Sequence, residues 1–164
     1  MLRWFYAAGF VCATATAVSA LELGKDQESW SICSVPTAQF RLQVPAALIH
    51  SAAPTATGCT FQSPDGEFNV EAVVQTAGDN ETLENRMQKE IDLLSGKVDR
   101  KKKGDDWFLL SGMTPDGTEY FRKLFTQNGQ WVTLRITYPH TASKKYDAWV
   151  KRIEKTFVPF APAQ

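Results

Sequence analysis

DGTEYFRKLFTQNGQWVTLRITY, residues 116–138, decides the architecture. Asp116-Gly117 and Asn128-Gly129 are two-residue turn signals of the kind that joins neighbouring antiparallel strands. After the second of them Val132, Leu134, Ile136 and Tyr138 alternate along a strand over Gln130 to Tyr138, and Glu119 to Thr126 runs back before it. Strands joined by turns this short are antiparallel, because a parallel pair needs a long crossover.

Working outward, the same logic repeats. Ser63-Pro64-Asp65-Gly66 separates Cys59 to Gln62 from Glu67 to Gln75, where Phe68, Val70, Ala72 and Val74 share one side. Upstream, Phe40, Leu42 and Val44 alternate with Gln39, Arg41 and Gln43 until Pro45 closes the strand. Asn80 is the expected cap of a helix with Glu81 and Glu84 in its first turn. Leu83, Met87, Ile91 and Leu94 form its apolar stripe, and Gly96 is its stop. Lys97 to Lys102 and Asp106 to Gly112 are two more strands about Gly104-Asp105. A last helix opens at Thr141 or Ser143, carries Tyr146, Trp149, Val150, Ile153 and Phe157 on one side, and stops before Pro159. The expected class is α+β, in the order β-ββ-α-ββββ-α. An antiparallel sheet of about six to seven strands carries two amphipathic helices on one face. Its other face would carry Arg41, Gln43, Glu67, Asn69, Glu71, Thr133 and Arg135.

The chain has 164 residues, 43% of them apolar, with 18 Lys and Arg against 18 Asp and Glu. That suits one domain with a core and argues against nucleic acid as the defining partner. Its first twenty residues follow the pattern of a secretory signal peptide: Arg3, then Trp4 to Val18 without charge, then Val18-Ser19-Ala20 as a cleavage site. The expected division is a leader over 1–20, an N-terminal arm over 21–37, one α+β domain over 38–158 and a tail over 159–164. After cleavage no stretch is long enough for a membrane span, so the protein is expected to be exported, in the periplasm or outside the cell. Cys33 and Cys59 then remain as an even pair, and an oxidising compartment favours a disulfide between them.

The order of elements resembles the PsbP-like fold. The residues that carry the likeness are Phe40-Arg41-Leu42-Gln43-Val44-Pro45, the Ser63-Pro64-Asp65-Gly66 hairpin and Gly104-Asp105-Asp106-Trp107-Phe108 leading to Ser111-Gly112. Tyr138-Pro139 and a last helix with Tyr146-Asp147, Val150, Ile153 and Phe157 complete it. That fold is shared by the photosystem protein that names it, by nuclear-import factors and by bacterial envelope proteins. The resemblance implies a binding or assembly module without catalysis, and it brings no functional residues with it.

Motifs for chemistry are sparse. His50 and His140 stand without a second ligand at helical or turn spacing, and no nucleophile elbow, P-loop or dinucleotide fingerprint is present. No cofactor or metal is expected. The Arg100-Lys101-Lys102-Lys103 run has two readings: an acidic-partner site helped by Trp107, or an edge strand kept from pairing by its lysines. Trp131 is expected on the outer face beside Arg135, either as an exposed anchor or under the N-terminal arm. Arg41, Arg100, Lys101, Lys102, Lys103, Trp107, Trp131 and Arg135 make up the candidate surface for a protein or envelope component. The alternatives are a secretion-linked chaperone or adaptor, and a small hydrolase or metal-dependent enzyme built on His50 and His140.

Overall fold

A computed structural model describes residues 29–35, 40–94 and 97–161. The leader read over residues 1–20 lies outside them. Among the described residues the strands are β1 (Trp30–Val35), β2 (Phe40–Pro45), β3 (Ile49–His50), β4 (Gly58–Gln62) and β5 (Asn69–Thr76), followed by helix α1 (Leu83–Asp92). Then come β6 (Lys97–Lys103), β7 (Trp107–Met113), β8 (Thr118–Gln127), β9 (Gln130–Pro139) and helix α2 (Ser143–Thr156). Part of the stretch expected as an arm is therefore strand: β1 pairs antiparallel with β2, from Trp30 opposite Pro45 to Val35 opposite Phe40.

The main sheet is antiparallel throughout, in the order β3-β4-β5-β9-β8-β7-β6. The turns behave as their sequences require. Gln127 and Gln130 are cross-strand partners, and Asn128 and Gly129 between them have φ of 51° and 72°. At the earlier hairpin the Ser63 N–H donates to the Phe68 carbonyl at 2.8 Å, and Gly66 takes a φ of 74°. β9 lies at the centre, between β5 and β8.

The α+β class stands, but the helices divide between the two faces instead of sharing one. On one face α2 buries Tyr146, Val150 and Ile153 with Leu109, Phe121, Val132, Leu134 and Ile136 of the sheet, and β2 adds Phe40, Leu42 and Val44. On the other, Met87 of α1 packs with Phe108, Leu110, Tyr120, Leu124 and Trp131. The reason is legible in β7: Phe108, Leu109 and Leu110 are all buried, so successive side chains on opposite faces both need cover. Connectivity supplies it, because the path from β5 to β6 at the far rim crosses β9, β8 and β7. The expected cap also moves. Thr82 caps α1, its hydroxyl accepting from the Asn85 N–H at 3.2 Å, while Asn80 takes a left-handed φ of 56° in the approach. Gly96 lies outside the described residues. No described helix is long and apolar enough to cross a membrane.

Candidate functional site

β6 reads Lys97-Val98-Asp99-Arg100-Lys101-Lys102-Lys103 and forms one rim of the main sheet. Its inner side pairs with β7; among the described residues no strand pairs with its outer side. Lys97 meets Asp99 at 3.1 Å and Lys103 meets Glu84 of α1 at 2.6 Å. Arg100, Lys101 and Lys102 are exposed and, among the described residues, have no carboxylate partner. Cross-strand register places Arg100 and Lys102 on the α2 face, opposite Ser111 and Leu109, and Lys101 on the α1 face, opposite Leu110. A bulge between Val98 and Arg100 separates the regular run from the start of the strand.

Gly112 holds this rim in place. A Cβ there would stand 2.0 Å from the Lys97 carbonyl oxygen and 2.8 Å from the Tyr120 hydroxyl, which donates to that same carbonyl at 2.9 Å. Burial, aided by the charge of Asp99, pushes the Tyr120 hydroxyl up, so it stays a donor. Behind the rim, between the sheet and α2, lies a polar groove of about 210 Å³ lined by Arg100, Ser111, Glu119, Tyr138, Asp147 and Lys151 among others. The Tyr138 hydroxyl donates to Asp147 at 3.3 Å; burial first, and Asp147 second, raise it above the usual phenol range. The groove thus presents charges of both signs, and its tyrosine hydroxyl stays protonated.

The other expected surface residues do not join this rim. Trp107 is half-buried on β7, its ring under the Lys123 ammonium at 5.1 Å. Trp131 is corrected outright. It is fully buried beneath α1, with its indole N–H donating to Glu81 at 2.8 Å and Arg86 at 5.7 Å over its ring. Two apolar neighbours, Trp131 and Val132, had to face opposite ways, and α1 supplies the second cover. Arg135 lies on the same face, paired with Glu71 at 2.8 Å, beside a shallow hollow of about 230 Å³ that Thr60 and Thr137 help to line. Arg41 is on the separate β1–β2 sheet, where its backbone bridges Val158 in both directions at 3.0 and 2.8 Å.

Cys33 on β1 and Cys59 on β4 are buried free thiols joined by a hydrogen bond. That bond favours ionisation of Cys33, while Cys59 keeps its proton, held by the facing sulfur and by burial. The histidines are not brought together. His50 is on the rim strand β3 against Phe61, with ring centroids 4.3 Å apart, and His140 follows β9 and meets Glu119 at 2.6 Å. Three strand spacings, about 14 Å of sheet, lie between β3 and β9. Among the described residues no group of three His, Cys, Asp or Glu could hold a metal ion.

Sequence reasoning missed a buried ion cluster under α1. Glu90 is 2% exposed and meets Arg122 at 2.7 Å, Arg86 at 3.1 Å and Arg135 at 3.8 Å. A signal existed: Glu90 follows Met87 by three residues and so falls on the stripe that faces the sheet. Arg122 and Arg135, cross-strand partners, wait there.

No family model matches the sequence, and no curated protein matches it. Solved structures do. The solution structure of cyanobacterial PsbP (CyanoP) from Synechocystis sp. PCC 6803 aligns with a TM-score of 0.58 at 13% identity, over 83% of this chain and 95% of that one. A crystal structure from Bacteroides thetaiotaomicron aligns with a TM-score of 0.50 at 15% identity, over 78% of this chain and 47% of that one. LpqN of Mycobacterium tuberculosis, described as involved in cell envelope biogenesis, gives 0.43 at 13% identity, over 83% of this chain and 88% of that one. The chain has the PsbP-like fold.

Proposed function

We propose that the protein is an exported, non-catalytic binding or assembly module of the bacterial cell envelope, and that its partner docks on the β6 rim. The observation that carries this reading is the cation triplet Arg100, Lys101 and Lys102. Among the described residues it has no carboxylate partner and lies on a strand whose outer side is unpaired, in a chain whose total charge is zero. The leader pattern in residues 1–20 supports export, and the PsbP-like fold supports binding over catalysis. In an oxidising compartment the facing thiols of Cys33 and Cys59 close into a bridge between β1 and β4.

The test is photo-crosslinking in intact cells, with the reactive group placed at Lys101 or, as a control, at exposed Lys144 on α2. A protein adduct from position 101 that is absent from position 144 is expected. An intracellular location for the mature chain, or a phenotype lost in the His50→Ala, His140→Ala double variant, would overturn the reading.

A further inference from the structure

We infer that the β6 rim takes an acidic, extended segment of another protein as an eighth strand, an inference that rests on the binding-module reading and specifies its partner. A free rim offers a row of unpaired backbone donors and acceptors, and strand addition is one of the recurrent ways in which proteins capture peptides. Lysines on such a rim usually block pairing. Against a second copy of this strand they do, because five cations and one carboxylate on each side would repel. Against a strand of carboxylates the same residues attract. Charge thus excludes self-association and selects the occupant.

The register says more. Arg100, Lys101 and Lys102 are consecutive, so they alternate between the α2 face and the α1 face. Residues directly opposite on an added strand approach to about 5 Å between Cβ atoms. All three cations are met only by three consecutive acidic residues, and an amphipathic strand with acids at every second position meets at most two. The bulge before Arg100 and the turn at Gly104 bound the regular run to Arg100 through Lys103. The occupant is therefore short: a few acidic residues flanked by β-formers.

The probe is a capped, fluorescent heptapeptide, Thr-Val-Glu-Glu-Glu-Val-Thr, titrated into the intact exported protein. Saturable binding is expected, weakening about tenfold or more between about 0.05 and 0.3 M salt. Hydrogen exchange should slow at amides within 97–103. The Arg100→Glu, Lys101→Glu, Lys102→Glu variant should lose the peptide with an unchanged thermal midpoint, and Lys101→Gln alone should weaken it severalfold if the triple variant proves unstable. Peptides N-methylated at alternate residues, in two frames, separate pairing from charge: one frame must lose binding. Equal binding by both frames, by a Glu-Val-Glu-Val-Glu peptide or by polyphosphate overturns the inference, as does a β6-mediated dimer or no binding at low salt. If crosslinking captures an envelope partner at another surface, the strand inference falls while the functional reading survives.

Discussion

Glu90 carries one negative charge among three guanidinium groups, in a position 2% exposed to solvent. Removing one member of such a cluster leaves the remaining charges poorly compensated, which costs more than the intact pair contributes. Glu90→Gln is expected to destabilise the fold by about 3 kcal/mol, read as a lower urea midpoint with unchanged slope. Asp65, in the first hairpin, gives the acid dependence. Its carboxylate accepts from the Ser63 hydroxyl, from the Glu67 N–H at 3.1 Å and from Lys145 at 3.1 Å, and the Ser63 contact leads in holding it at about 2, below its ordinary 3.8. A depressed folded-state value means that its contribution is present above about pH 4 and disappears as pH falls toward 2. Asp65→Asn should therefore flatten the acid limb of a stability–pH curve between those values and leave the curve's shape above pH 5 unaltered.

Strands and turns are where sequence reasoning reached furthest. The hairpins at Asp65-Gly66, Asp116-Gly117 and Asn128-Gly129 all close antiparallel pairs, because the φ > 0 positions they need are written in residue type. Helix faces were legible too, but not which side of the sheet each helix covers. That depends on β6 lying at the far rim, a long-range fact that no local period records. The adjacent apolar residues of β7 and β9 did hint at cover on both faces. The candidate site was half legible: the cation run was conspicuous, while which of its members lack a carboxylate partner among the described residues depends on where Glu84 and Asp99 fall. Gly112 sets the attachment of this strand. Gly112→Ala is expected to cost on the order of 2 kcal/mol and to accelerate hydrogen exchange selectively at residues 97–103, since a methyl cannot fit beside the Lys97 carbonyl.

For the whole molecule, the β1–β2 ribbon is a second layer on the α2 face, and Cys33 and Cys59 mark one place where it meets the main sheet. Closing the 25 residues between those cysteines with a bridge is worth about 3.5 kcal/mol in the chain-entropy account. Because both thiols are buried, the measurement is alkylation in denaturant: if the proposed export and bridge hold, protein recovered from the envelope should label at neither cysteine until reduced, and immediate labelling of both would refute the bridge. The central place of β9 has a consequence of its own. Before Gln130 is supplied, β3-β4-β5 and β6-β7-β8 share no ladder, and every route between them runs through a strand made near the end of the chain. A nascent chain of this design carries only separate ribbons, and its main sheet locks late, when the keystone strand arrives.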